Sequence, residues 1–299
     1  MANSWDAEQI VTRELAITLI ESQFPNINII SIEPMGEGFD NTMFLVNGSY
    51  SFRFPRRQIA EELLRTEWNL LGKLTIESEI PIPKPLYLGE GTDLYPWFFV
   101  GYEYITGKVP HSFSEEQLLK MVKPLATFLK KLHSYPLAEL QGIPYDEFNR
   151  LNIEMRKLRL IKSITKLQQY EDIPLYKNAL HYVQNLEAET IPNQKVLTHG
   201  DLHIRNILVN KENRLVGIID WGDTHIGHPA VDLSIVYSLF PALYRIKFFQ
   251  YYGEIENSTI YLARFKAIFT LITLLSYGLD RKDNQLYEDG KRFLENSLT

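Results

Sequence analysis

A chain of 299 residues, 45% hydrophobic and 23% charged, has the balance of a globular protein and enough length for one large domain or two lobes. It contains no cysteine, which excludes a disulfide framework, a thiolate metal site and a cysteine nucleophile. A formal charge of −6 without a basic stripe argues against nucleic acid as a partner, and would suit a cationic one.

The opening residues, Met1 to Asp6, lack the basic start and apolar run of a secretory leader. The most apolar stretch, Ala267 to Tyr277, is about half of what a bilayer crossing needs, and it follows Arg264 and Lys266. It is expected to form a buried helix in a cytoplasmic protein that does not enter the membrane.

Ile10, Leu15, Ile17, Leu19 and Ile20 recur at helical spacing and predict a first helix over about 6–24, broken by Pro25 and Asn26. Short β-branched and aromatic runs follow at 29–32, 42–46 and 50–54, punctuated by Gly36, Gly38 and the hairpin pair Asn47-Gly48. A helix is predicted over 59–74, then strands over 85–88 and 97–104. Beyond Gly107 the composition turns helical, with segments near 114–134, 146–170 and 173–188. A strand–turn–strand unit spans 195–220, and helices over 230–252, 257–279 and 283–297 close the chain. The expected class is α+β: an antiparallel sheet with one inserted helix over 1–104, then a larger, mostly helical lobe over 105–299.

Two short motifs carry chemistry. His199 to Asn206 reads H-G-D-x-x-x-x-N, and Asp220-Trp221-Gly222 follows. Protein kinases use H-R-D-x-x-x-x-N and D-F-G for phosphoryl transfer. That reaction needs a carboxylate to orient the acceptor hydroxyl and take its proton, which suits Asp201. It also needs oxygen ligands for magnesium, an ion content with one or two protein groups plus phosphate and water, which suits Asn206 and Asp220. Ile207-Leu208-Val209 and Val216 to Ile219 look like two strands around the turn Asn210 to Asn213, so Asn206 and Asp220 should meet at the hairpin's open end. Either motif alone is ordinarily a turn or a strand end; both together, after a β-rich lobe, form a specific pattern.

On these residues, and on the block from Met35-Gly36-Glu37-Gly38 through Asn47-Gly48 to Phe52-Arg53-Phe54-Pro55, the chain resembles the aminoglycoside phosphotransferase family, and most nearly its 2″-phosphotransferase branch. The resemblance implies a protein-kinase-like two-lobed fold, magnesium, and ATP or GTP as donor. It implies Asp201 as the catalytic aspartate, Asn206 and Asp220 as metal ligands, and His199 as support for the catalytic loop. Glu67 would pair with a basic residue on the third strand, here Arg53, where protein kinases carry lysine. Gly36 and Gly38 would cover the phosphates, although Asn41 stands where a third glycine is usual. Tyr102, Glu103 and Tyr104 would link the lobes and meet the nucleotide base, with a tyrosine at 102 favouring guanine slightly.

The implied acceptor is an aminoglycoside, a polycation that Asp223 and Asp280, with Glu254, Glu256 and Asp283, would attract. Asp232 is expected to brace the catalytic loop instead. The same motifs would serve a kinase of macrolides, or of a choline, homoserine or thioribose type of metabolite. A catalytically inactive kinase fold that only binds a nucleotide or partner is the third possibility.

Overall fold

The computed structural model describes residues 7–37, 40–111 and 113–299. Gly38, assigned above to the phosphate-covering loop, lies outside them.

Thr12 opens the first helix: its hydroxyl accepts the Leu15 N–H at 3.2 Å, and α1 runs Arg13–Gln23 with Ala16, Leu19 and Ile20 buried. The cap, rather than the apolar spacing that begins earlier, sets the first turn. Three strands follow, β1 (Ile32–Glu37), β2 (Asn41–Val46) and β3 (Tyr50–Pro55). Asn47 and Gly48, both at positive φ (53° and 64°), turn β2 into β3 with Val46 opposite Tyr50. Helix α2 (Gln58–Leu71) is inserted before β4 (Pro85–Gly89) and β5 (Phe99–Glu103), and the antiparallel sheet has the order β1-β2-β3-β5-β4.

The period of two along each strand divides the sheet's side chains between two cores. Phe44, Phe52, Phe54 and Phe99 pack with α1, and the Phe54 and Phe99 rings stack at 4.7 Å. Val100 and Tyr102 join Leu64, Leu70 and Leu71 of α2, and this second core continues into the helical part. The larger core therefore runs across residue 104, and α2 is packed against both parts of the molecule.

The helical part contains α3 (Glu115–His133), α4 (Ile153–Tyr170), α5 (Pro174–Gln184), α6 (Ala230–Leu239), α7 (Ala242–Tyr252), α8 (Asn257–Arg281) and α9 (Asn284–Leu298). Two expectations are corrected here. The helix predicted from 146 begins at Ile153, after the Asn152 side chain caps Met155 N–H at 2.9 Å, so Asp146 to Leu151 form an irregular segment. The helix predicted over 230–252 breaks at Pro241, whose ring and missing N–H end α6 and start α7. By length and composition α8 could cross a membrane; it packs here against α4, α6 and α9. Between α5 and α6 lie β6 (Val196–Thr198), β7 (Ile207–Val209), β8 (Leu215–Ile218) and β9 (His225–Gly227). β7 pairs with β8, and β6 with β9.

Candidate active site

Because Phe52 and Phe54 point into the core under α1, Arg53 between them faces α2. Its Nη1 meets Glu67 Oε2 at 2.7 Å, and its Nη2 meets Asp220 Oδ1. With the Asn41 amide oxygen turned inward, that oxygen accepts from Arg53 Nε at 3.1 Å and Nη2 at 3.2 Å. Glu67 is buried on α2, and its Oε2 also accepts the Trp221 N–H at 3.0 Å. One carboxylate therefore joins β3, α2 and the Asp220-Trp221-Gly222 turn. Burial alone would lower the Arg53 guanidinium, but Asp220 and Glu67 hold it well above the usual arginine value. A planar fork reaches these partners together; a single ammonium would not.

The hairpin has the geometry that the spacing predicts. Ile207 pairs with Ile218, and Ile219 N–H donates to Asn206 O at 3.0 Å, which sets Asn206 and Asp220 at the open end. Asp220 sits at φ 69°, and this turn drives the Trp221 ring into full burial 4.7 Å from the His199 ring. Asn206 Nδ2 donates to Asp201 O at 2.9 Å, so its amide oxygen is aimed elsewhere. The Asp220 side chain is 47% exposed, and Arg53 takes only its Oδ1. Among the described residues nothing donates to Asn206 Oδ1 or Asp220 Oδ2. Two such hard oxygens at the open end of one hairpin fit a magnesium ion whose remaining ligands are phosphate and water.

Asp201 is held by its loop. Gly200 has φ 88°, and a Cβ there would lie 2.0 Å from the Asp223 carbonyl oxygen, so both conformation and space require glycine. Asp232, fully buried in the first turn of α6, accepts the His199 N–H at 2.7 Å on Oδ2 and the Gly200 N–H at 2.9 Å on Oδ1. His133 Nε2 approaches Oδ2 at 3.1 Å, and Tyr252 OH meets His133 Nδ1 at 2.7 Å. Burial would raise the Asp232 carboxyl, but His133, His199 and the Gly200 N–H hold it low. Asp232 thus braces the loop, as expected. His199 Nε2 contacts Ile219 O at 3.0 Å, linking this loop to the hairpin.

The Asp201 carboxylate has His203 Nε2 3.2 Å from Oδ2 and Lys266 Nζ 4.0 Å from Oδ1. Burial would raise its pKa, yet His203, Lys266 and His199 keep it far below the ordinary aspartate value.

The segment linking the lobes differs from expectation. Glu103 N–H donates to Lys84 O at 3.1 Å and Tyr104 N–H to Ser49 O at 2.9 Å, so neither amide is open to a base. Sheet pairing continues past the strand end and consumes them. Among the described residues none accepts from Ile105 N–H, which is therefore the next donor along. Tyr102 is buried beside Glu67 and Arg53, and burial and then Glu67 push its phenol well up. Gly36 sits at φ 122° beside a register shift in β1, with open space where a Cβ would stand.

Residues 31–266 match the family described as "Phosphotransferase enzyme family". The chain belongs to that family. It is a phosphotransferase acting on hydroxyl groups, with a kinase-like fold. The GDP complex of wild-type aminoglycoside 2'-phosphotransferase-IIIa is similar at 27% identity and a TM-score of 0.72, covering 96% of this chain and 99% of that one. The GDP and kanamycin complex of APH(2")-IIia is 26% identical with a TM-score of 0.66, over 94% and 97% of the two chains. Acyl-CoA dehydrogenase family member 11 of Homo sapiens is 29% identical over 171 residues, 54% of this chain and 21% of that protein. The chain spans about a fifth of the length of the first curated relatives it matches.

Of the acids expected to attract the acceptor, Asp223, Asp280 and Asp283 already have partners. Arg150 donates through Nη1 to Asp146 at 2.7 Å and through Nη2 to Asp223 at 2.5 Å. Asp280 pairs with Lys166 at 3.1 Å, and Asp283 accepts the Leu286 N–H at 3.0 Å as the cap of α9. Glu254 and Glu256 are exposed. Asp223 lies within the field of Asp201: burial, then Asp201, push its carboxyl up against the pull of Arg150, and Asp220 adds to the rise. Asp223, Asp280 and Asp283 are therefore engaged within the protein, while Glu254 and Glu256 are open to solvent.

His203, Arg150 and Lys266 escaped the sequence analysis. For Lys266 a signal existed: a lysine between Phe265 and Ala267 interrupts the apolar face of a helix. Arg150 was hidden inside a segment assigned to a helix that starts later.

Proposed function

We propose that this phosphotransferase moves the γ-phosphate of magnesium-bound ATP or GTP onto a hydroxyl of a small molecule in the cytoplasm. The convergence of Asp201, Asn206 and Asp220 at the mouth of one hairpin, beside Arg53, carries this reading. Arg53 grips the phosphates while Glu67 holds its fork in place. Asn206 and Asp220 would hold magnesium, which when bound spreads the phosphate charge. The acceptor O–H donates to Asp201, which fixes its oxygen in line with the γ-phosphorus. The new O–P bond forms as the bridging P–O bond breaks, the hydroxyl proton passes to Asp201, and the nucleoside diphosphate leaves. An aspartate held so strongly ionised is a weak base, so its first contribution is orientation, with the proton moving late. Ile105 N–H and the neighbouring carbonyls would meet the base edge, and the GDP bound in two similar structures supports a guanine donor.

For the acceptor, an aminoglycoside is favoured by the similarity to the kanamycin complex. A hydroxylated metabolite is favoured by the geometry, because Asp223 and Asp280 are paired within the protein.

A coupled nucleotide-consumption assay tests the proposal, with ATP and GTP each set against kanamycin, a macrolide and small hydroxylated metabolites. Asp201→Asn should lower turnover by about 10²–10⁴-fold with Mg-nucleotide affinity kept, whereas Asp220→Ala should weaken that affinity itself. Near-normal transfer by Asp201→Asn would refute the assignment.

A further inference from the structure

Lys266 is a buried cation with too few partners. Its side chain is 10% exposed on α8, flanked by the buried Phe265 and Ala267. Of its three N–H donors, one meets Thr270 Oγ1 at 2.9 Å; the carboxylate that pairs with it, Asp201 Oδ1, stands at 4.0 Å, beyond a hydrogen bond. A buried ammonium with unmet donors is costly unless an anion completes it.

Among the described residues no carboxylate hydrogen-bonds Lys266. Asp223, whose charge Lys266 feels, is held by Arg150, and so is Asp146. Arg156 adds a further cation, its guanidinium donating to the carbonyls of Phe148 at 2.6 Å and Asn149 at 3.2 Å rather than to a carboxylate. Burial and then Arg150 push the Lys266 ammonium down, with Asp201 opposing. Arg150 is thus spent on two carboxylates, and Lys266 is the ammonium that approaches Asp201 without a hydrogen-bonded carboxylate of its own.

Lys266 and Arg53 come to the site from different parts of the fold. Arg53, on the sheet, faces the hairpin mouth where the phosphates belong, and His203 covers the other oxygen of Asp201. Lys266 approaches Asp201 Oδ1 from α8 of the helical part.

We infer that the acceptor carries an anionic group, a carboxylate or a phosphate, which Lys266 binds while Asp201 holds the hydroxyl. With each contact near 3 Å, hydroxyl and anion oxygens lie roughly 4–7 Å apart, a separation of about four to six bonds. The inference rests on the kinase reading and names its substrate class: small hydroxy acids or phosphorylated alcohols.

Matched probes test it. Turnover is measured with glycerate, glycerol 3-phosphate and 3-hydroxybutyrate, against glycerol, 3-hydroxybutyramide and kanamycin. Binding of the same probes to Mg-nucleotide-loaded protein is followed by thermal shift. The expected result is at least a tenfold preference in kcat/KM for anionic members, reduced to within threefold in Lys266→Met and partly restored in Lys266→Arg. The Lys266→Met loss should appear as a higher acceptor KM, with Mg-nucleotide affinity unchanged. Anion binding that Lys266→Met abolishes supports the site even where no phosphate is transferred, and in that case the kinase reading is what fails. Turnover confined to neutral or cationic probes sustains the kinase and overturns the anion site. So does an anion preference that Lys266→Met leaves intact, or a fall in kcat shared by every acceptor and by nucleotide hydrolysis, which would put Lys266 on the transferred phosphate. An absence of both binding and turnover across the panel overturns it too.

Discussion

Replacing Asp232 by asparagine should damage both stability and turnover, although this residue touches no reacting atom. The carboxylate accepts two backbone N–H groups, at 2.7 and 2.9 Å, and faces His133 at 3.1 Å, all out of contact with water. An asparagine of the same shape keeps one acceptor oxygen and turns an NH2 group toward donors on its other side. One charge-assisted bond, about 1.5–3 kcal/mol, is then replaced by a donor facing a donor. Breaking a buried pair by removing one partner costs about 3–5 kcal/mol, so a loss of roughly 3 kcal/mol is expected. For a chain of this size each kcal/mol lowers Tm by about 2 °C, which gives a fall of roughly 6 °C. The freed loop carries Asp201, and a displacement of about 1 Å at a reacting group can cost about 10²-fold in rate. Calorimetry and single-turnover transfer at saturating Mg-nucleotide measure the two effects. A Tm within 2 °C of the parent, with turnover within threefold, would refute the bracing role.

Two further outcomes follow from the same geometry. Gly200→Ala must place a Cβ 2.0 Å from Asp223 O at φ 88°, whereas Gly142→Ala, at φ 84°, meets nothing within 4 Å. The first should lose more than about 2 kcal/mol and most of its activity, the second only the left-handed strain of about 1–2 kcal/mol; equal urea midpoints for the two would contradict this. Stability should also rise with pH between about 4 and the ordinary histidine value, because burial pushes His228 down to about 4. Its Nδ1 accepts the Ala230 N–H at 3.2 Å, and its Nε2 is buried without a partner. Across that window the unfolded chain binds the proton that the folded chain refuses, so stability falls as pH drops and is complete above the unfolded value. His228→Asn should flatten the slope, read as urea midpoints at pH 4.5 and 7; an unchanged slope would assign it to other groups.

The parts of the site that could be read from the chain are those fixed by local rules. Asn206 and Asp220 are separated by a hairpin whose turn and strands are written in adjacent residues, so their meeting follows from local pairing. Arg53 faces Glu67 because strand alternation fixes its side and the aromatic residues around it fix which side is core. Element boundaries were less legible, since caps at Thr12 and Asn152 overrode apolar spacing and Pro241 split one helical pattern into two. That the N–H groups of Glu103 and Tyr104 are occupied was not legible, because their acceptors, Lys84 O just before β4 and Ser49 O in the β2–β3 turn, are distant in the chain.

Charge at the acceptor site shows most clearly where sequence arithmetic stops. The chain as a whole carries −6, and acids outnumber bases, which by itself suggests a site for cations. Yet Asp223 meets an arginine 73 positions away, and Asp280 meets a lysine 114 away. Pairing at such separations is a property of the folded packing, and it gives both acids a partner within the protein. What remains beside Asp201 is set by Lys266, a residue that helical periodicity alone would assign to the core. A screened surface charge acts over about 8–10 Å in physiological salt, whereas a buried ammonium at 4.0 Å is hardly screened. The acceptor's charge is therefore decided by one lysine on α8 more than by the excess of acids over the surface.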